Sequence, residues 1–305
     1  MPRRAAPLAA LLVALLVALT AAAASARPLP GAPGCPILPP GNVWNARVDA
    51  RPVLPGSDAL IAAIGLDAGL HPDFSAAGGY GIPVNMVGAR TPRRAVRFQY
   101  ASESDRVRYP IPARPRIEGG SDRHLLMLDR DACRLYELFA AQRGAGGGWS
   151  AGSGAVFDLR SNRLRPGGWT SADAAGLPIL PGLARYGDLA AGGIDHALRF
   201  TAPRTRSAFV YPARHAAGAG ADPSLPPMGL RVRLKRGVSL AGLGPQARAL
   251  ALALKRYGMI LADNGSPWYV TGAPDRRWDD DDLHGLGRLT GGDFEVVDAR
   301  GLRSR

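Results

Sequence analysis

The sequence is poor in cysteine, in long apolar runs and in recognisable catalytic signatures. Only two cysteines, Cys35 and Cys133, occur in 305 residues. That excludes a cysteine-dense scaffold and a zinc site built from paired cysteines. No His-Glu-x-x-His segment, glycine-rich phosphate cradle or dinucleotide fingerprint is present, so neither a metal nor a cofactor is expected. Gly152-Ser153-Gly154 precedes a strand and lacks the strand-to-helix turn of a nucleophile elbow. Beyond residue 26 no apolar run is long enough to span a bilayer. There is also no internal repeat, and no linker that would cut the chain in two.

What is present begins with an export signal. Arg3 and Arg4 precede "LAALLVALLVALTAAAASA", which ends in Ala24-Ser25-Ala26. A basic start, an apolar run and a small-residue cleavage site define a signal peptide over residues 1–26. Residues 27–305 are then expected outside the cytoplasm, secreted or periplasmic, with no membrane anchor after cleavage. In that compartment Cys35 and Cys133 form a disulfide. It closes a loop of roughly a hundred residues, worth about 4 to 5 kcal/mol on the chain-entropy model.

Hydrophobic residues make up 46% of the chain, the proportion of a packed globule rather than a disordered segment. The formal charge is +13, two units of it from Arg3 and Arg4. Such a surplus suits an anionic polysaccharide or the cell envelope. The arginines are scattered, however, and no nucleic-acid module accompanies them, so no nucleic-acid partner is expected. Arg231-Val-Arg-Leu-Lys-Arg236 alternates basic and apolar residues, as on a strand with one wet face.

Residues 27–56 ("RPLPGAPGCPILPPGNVWN" and beyond) are rich in proline and glycine and read as an extended surface segment. One β-rich domain is expected over residues 57–305. "SDALIAAIG" starts it as a short helix with Ser57 as N-cap. "IPVNMVG", "AVRFQYA", "HLLMLD", "CRLYELFAA", "GAVFDL", "HALRFTA" and "SAFVYPA" are short runs between turn residues. "MGLRVRLK", "MILADNG", "WYVTGA" and "FEVVDA" continue that pattern. In "GPQARALALALKRYG", Pro245 at the first turn and Gly258 as C-cap frame a helix. The expected fold is mostly β, an antiparallel, jelly-roll-like β-sandwich with two to four added helices. A monomer is expected.

Candidate catalytic groups are acids and histidines placed near strand ends and loops. "IEGGSDRHLLMLD" gathers Glu118, Asp122, Arg123 and His124 around a Gly-Gly turn. Period two puts Glu137 in a row with Cys133, Leu135 and Phe139, an unusual place for a carboxylate. Asp158 opens a long loop that contains Trp169, Thr170, Ser171 and Asp173, a length that fits a lid or binding loop. "IDHALRFTA" and "FVYPARH" supply His196, Arg199, Tyr211 and His215. Asp263 stands at an Asn-Gly turn close to Trp268 and Tyr269. Trp169 and Trp268 are candidate sugar platforms, with Arg199, Tyr211 and His215 as further substrate contacts.

The most conspicuous acidic run, Asp279 to Asp282, has a duller reading. Asp279 takes the N-cap position, and Leu283, Leu286 and Leu289 follow at helical spacing. Acids in a first turn satisfy free amides and the positive helix end. The segment lacks the glycine and glutamate register of a calcium loop.

The blocks "DRHLLMLDRDACRLYELFAA", "GSGAVFDLRSNRLRPGGWTSADAAGLPILPGL", "HALRFTAPRT", "LPPMGLRVRLK" and "YGMILADNGSPWYVTGAPDRRWDDDDL" together resemble a recurring family of secreted bacterial proteins. The resemblance runs from about Cys35 to Val297. It implies a single exported domain and carries no activity or site residue with it.

The residues themselves point first to a secreted carbohydrate-active enzyme, a glycoside hydrolase acting on a polysaccharide through a carboxylate pair. Glu118, Glu137, Asp158, Asp173 and Asp263 are its candidate acids. A polysaccharide lyase working through His124, His196, Tyr211 or His215 with an arginine is the alternative. A non-catalytic glycan-binding or cell-envelope protein is the other.

Overall fold

The computed structural model describes residues 26–76 and 79–305. The signal-peptide reading therefore lies outside the described residues, Ala26 excepted. The described chain is mostly β, with four short α-helices at Ser57–Gly65, Tyr186–Ala190, Pro245–Arg256 and Asp280–His284. Among the described residues no helix is long and apolar enough to cross a membrane.

The strands form two larger sheets and two small ones, all open. The six-stranded sheet runs in the order His71–Asp73, Tyr269–Thr271, Leu198–Ala202, Met259–Asn264, Arg231–Leu234, Phe294–Val296. The four-stranded sheet runs Ser153–Asp158, Arg134–Phe139, Leu125–Asp129, Val84–Val87. The expectation of a purely antiparallel fold is corrected. His71–Asp73 with Tyr269–Thr271, Leu198–Ala202 with Met259–Asn264, and Val84–Val87 with Leu125–Asp129 all pair parallel. A parallel pair needs a long crossover. The Leu198–Ala202 strand reaches its partner only after the Pro245–Arg256 helix, which the sequence marked by Pro245 and by Gly258 at φ +65°. The expected hairpin does form: Ser153 to Asp158 pairs antiparallel with Phe139 to Arg134.

The four-stranded sheet is covered on both faces. Leu126, Leu128, Leu135 and Phe157 join the main apolar core, which they share with Leu198, Phe200, Val232 and Leu261 of the larger sheet. Leu125, Met127, Tyr136 and Leu138 point the other way, into a smaller core with Tyr109 and Trp149. Alternate residues of each strand thus serve different cores, so the runs read as continuously apolar.

Two expectations about the surface are corrected, the first in part. The Pro/Gly-rich N-terminal segment does run along the surface, about half of its residues exposed, but it is a strap anchored in the core by Ile37, Val43, Trp44 and Val48, each nearly inaccessible. The disulfide Cys35–Cys133 forms, with a Cα–Cα distance of 5.2 Å across 98 residues. It ties this strap to the start of the Arg134–Phe139 strand. The second correction concerns Arg231 and Arg233, which have no wet face. Arg231 donates to the carbonyls of Tyr257, Val43 and Ala46. Arg233 donates to those of Val48 and Arg51 and pairs with Glu295. Arginine suits this role because its planar fork offers five donors to several carbonyls at once. Burial pushes the Arg231 guanidinium down to about 9, still protonated at neutral pH.

"SAFVYPA" forms no strand, only an isolated bridge between Phe209 and Met228. Ser57 does not cap its helix; its hydroxyl accepts from the Val296 amide. Trp268, named as a sugar platform, is sealed in the core. Its ring stacks between Phe200 and Phe294 at 5.6 and 5.0 Å, and its Nε1 donates to the Gly65 carbonyl. No face is left for a ligand.

Candidate functional site: a buried acid cluster opening into a groove

Five acids from separate stretches of the chain meet around two cations. Arg199, on the Leu198–Ala202 strand, is buried and donates from Nη2 and Nε to the two oxygens of Asp173, at 2.8 and 3.2 Å. Its Nη1 donates to Thr271 Oγ1, and its Nη2 lies 3.7 Å from Asp263 Oδ2. One guanidinium therefore holds two carboxylates. Glu118 supplies the third acid, in contact with His124 Nδ1. Glu137 and Asp73 complete the set.

Local backbone features put these groups in place. A register shift between Phe200 and Thr201 pairs Phe200 with Leu261 and Thr201 with Asp263, so Ala262 is bulged out. A bulge re-aims the side chain beyond it. It also frees the Ala262 carbonyl, which accepts from the Ala175 amide at 2.8 Å. That bond pins the Ser171–Leu177 turn against the strand. Within the turn Ser171 Oγ contacts the carbonyls of Asp173 and Leu177 and accepts from the Asp173 amide. Gly176 adopts φ +70°, and a Cβ there would lie 2.5 Å from the Trp169 carbonyl. Glycine is required. The loop expected to be a lid is thus a plug: Ala172, Leu177, Ile179 and Leu180 are buried.

Charge bookkeeping explains the proton affinities. Burial works against the charge of Arg199, but Asp173 first, then Asp263 and Glu118, hold it well above its ordinary value. Burial likewise opposes the charge on His124, and the Glu118 carboxylate outweighs it, raising the imidazole. Its Nε2 faces the Ala172 carbonyl at 3.0 Å, so both ring nitrogens meet acceptors and the imidazolium is the form that fits. Glu118, although desolvated, is held below the usual carboxylate range by His124. Two cations can neutralise only two carboxylates. The remaining acids move up instead. Asp73 is raised by burial and by nearby Glu118. Glu137 is pushed up to about 7 by burial, against the opposing pull of the Ile179 and Leu180 amides. Asp263 reaches about 7 through burial and the neighbouring Asp173, with Arg199 pulling the other way.

These acids differ in access. Asp173 is inaccessible, whereas the Asp263 side chain is 22% exposed. It lines a groove of about 420 Å³ whose walls include Tyr100, Glu103, Asp122, Phe139 and His215. Tyr100 is 46% exposed at this groove. Glu103 accepts from the Thr170 amide and lies 3.6 Å from His215 Nε2, while His215 Nδ1 contacts the Ala174 carbonyl. A group that is protonated near neutrality, reached by solvent and aimed into a groove is the usual setting of a proton donor.

The structure thus brings together Glu118, His124, Glu137, Asp173, Arg199 and Asp263, and puts His215 on the groove wall. Within the set Glu137 is closed off, fully buried, its carboxylate accepting the Ile179 and Leu180 amides at the start of a 3-10 turn. The structure leaves other candidates apart. Asp158 is exposed and accepts from the Arg160 amide. The Trp169 ring carries the Arg165 guanidinium at 5.5 Å. Tyr211 is tied to the C-terminal tail through Ser304 and lies under Arg303. His196 is buried 3.5 Å from Asp188, which is paired with Arg185. Of the residues named for a lyase, Tyr211 and His196 thus have partners outside the cluster, while His124 lies within it and His215 on the groove wall. Sequence reasoning passed over Asp73, Glu103 and Thr271. Glu103 sits in "YASESD", a short polar segment whose only signal is its acid content.

The run Asp279 to Asp282 is a capping hub. Asp279 accepts from the Asp282 amide, and Asp282 accepts from Gln246 and Ala247 at the start of the Pro245–Arg256 helix. Asp280 accepts from the Ala76 amide. Among the described residues no group of three or more His, Cys, Asp or Glu side chains forms a metal site. A second groove of about 440 Å³ runs past Arg27, Arg116 and Tyr186. Its acids Asp188 and Asp275 are both paired to arginines, with no spare proton donor.

The features define a class of site, a desolvated carboxyl cluster opening on a polar groove. No protein-family model, curated protein or solved structure matches the chain.

Proposed function

We propose that this chain is an exported carbohydrate-active enzyme, a glycoside hydrolase in which Asp263 donates the proton to the leaving oxygen. One observation supports this above the rest. Asp263 is the single member of the cluster that is both pushed up to about 7 and open to the groove. A hydrolase also needs a second carboxylate to activate water or attack the sugar. Glu103 and Asp122 line the same groove and supply that role. Tyr100 offers an exposed ring for a sugar face. Arg199, itself fixed by Asp173 and Thr271, lies 3.7 Å from Asp263 and orients it from behind. The two larger sheets, which share the main core, are read as a sandwich-like frame for the groove.

The test is release of reducing ends from a panel of polysaccharides, with absorbance of unsaturated products read in parallel. Wild type should release reducing ends from at least one polymer, and Asp263→Asn should lose that activity. Unsaturated products would instead establish a lyase. Binding without cleavage by wild type would establish a glycan-binding protein.

A further inference from the structure

The charge of the candidate groove is opposite to that of the chain. The protein carries a formal +13, and its arginines outnumber its acids over most of the sequence. Yet the residues lining the groove include the acids Glu103 and Asp122, besides the proton-holding Asp263, against the one basic side chain His215, with neither lysine nor arginine. The buried cations behind it are already partnered, Arg199 by Asp173, Thr271 and Asp263, and His124 by Glu118. The remaining lining is small or polar, including Ser153, Thr170 and Asn264.

Two fields therefore compete at the groove. The arginines beside the groove turn their donors away from it: Arg165 to Asp105 and to the Thr170 and Glu103 carbonyls, Arg123 to the Ala141 carbonyl and Arg214 to the Arg165 carbonyl. More distant ones are screened over about 8 Å at physiological ionic strength. Glu103 and Asp122 stand on the wall itself, in a concave site that concentrates their field. The local term wins. A uronate or sulfate entering the groove meets like charge on two walls, and like-charge juxtaposition is what most strongly rejects a wrong partner.

From this balance we infer that the groove takes a glycan bearing free amino groups, a polymer of glucosamine type, in preference to an anionic polysaccharide. The ammonium of such a sugar pairs with Glu103 or Asp122, and the ring lies against Tyr100. The overall positive charge is then a property of the outer surface and says nothing about the substrate. This inference rests on the groove being the glycan site proposed above.

The experiment uses the full mature chain carrying Asp263→Asn, so that binding is read without turnover. Three oligosaccharides of equal length serve as probes: a glucosamine oligomer, its N-acetylated counterpart and an oligogalacturonate. Calorimetry at low and moderate salt should show the glucosamine oligomer binding at least about tenfold more tightly than the neutral one, an advantage that shrinks with added salt. Oligogalacturonate should bind most weakly. Glu103→Gln combined with Asp122→Asn should erase the preference while circular dichroism shows the fold intact. Equal binding of all three probes, tighter binding of oligogalacturonate, or an unchanged preference in the double variant would overturn the inference. Reducing-end release by wild type is scored separately. Selective binding with no cleavage overturns the hydrolase and leaves the amino-sugar preference standing. Cleavage of a neutral or acidic polymer with no charge preference does the reverse.

Discussion

Two acid-rich regions of this molecule follow opposite logics. Asp279 to Asp282 are contiguous, and three of them turn a carboxylate oxygen towards a backbone amide. Their charge is spent on helix ends and loops. Asp73, Glu118, Glu137, Asp173 and Asp263 are scattered over almost two hundred positions, yet each has Arg199, His124 or both as a neighbour. There the cations run short, and protons make up the difference. The visible run is structural scaffolding, and the dispersed set is the place where proton chemistry is available.

Substitutions that separate these logics have effects of different kind and size. Asp263→Asn keeps the shape and removes the proton. It should lower kcat on a cleaved polymer by about 10²- to 10⁴-fold, the usual loss for a general acid, with the folded state retained. Turnover assays on the best polymer of the panel check this. Retained activity would move the donor elsewhere. Arg199→Met should cost about 3 to 5 kcal/mol, because Asp173 would be left buried without its partner. Urea unfolding of that variant provides the measurement, and a loss under 1 kcal/mol would contradict the placement of Arg199 in the cluster. Asp282→Ala removes the acceptor for two amides of the Pro245–Arg256 helix and should cost about 1 to 2 kcal/mol. Asp279→Ala should cost about 1 kcal/mol or less, with no change in turnover for either aspartate. A large activity loss at Asp282 would dissolve the contrast between the two regions.

Stability should depend on pH in a direction the raised acids dictate. For Asp263 the folded value of about 7 stands above the ordinary 3.8, so the folded state holds a proton that the unfolded chain has released. Its contribution is fully present below about pH 4 and is lost as pH rises towards 7. His124, raised by Glu118, acts in the same sense, its contribution fading as pH climbs through its folded value. Melting curves of wild type should therefore fall between pH 4 and 7, and Asp263→Asn should flatten part of that slope.

Much of the frame was legible in the chain. The apolar runs at Leu125–Asp129, Arg134–Phe139 and Ser153–Asp158 became strands, and Pro245 with Gly258 bounded a helix. The cysteines paired, and Asp279 capped where its spacing placed it. Parallel pairing was not legible, because strand patterns state which residues are apolar and not which strand lies alongside. The prolines and glycines of the N-terminal strap signalled its course along the surface, while Ile37, Val43 and Trp44 carried the signal of its anchoring in the core. Trp268 beside an Asn-Gly turn looked exposed, and only packing against Phe200 and Phe294 shows otherwise. Of the site, Glu118, His124, Asp173, Arg199 and Asp263 were all conspicuous one at a time. Their convergence depends on the Ala262 bulge and the Gly176 turn, which set Asp263 and Asp173 from separate segments against Arg199. Asp73 and Glu103 gave no local sign of their neighbours.

The most direct test needs no substrate. Carboxyl-carbon NMR on protein labelled at aspartate, with the Asp263 resonance assigned by its disappearance in Asp263→Asn, reads the proton affinity itself. A midpoint near 7 is predicted for Asp263. An Asp263 midpoint below 5 would mean that the carboxyl is ionised throughout the neutral range, and the assignment of Asp263 as proton donor would fall.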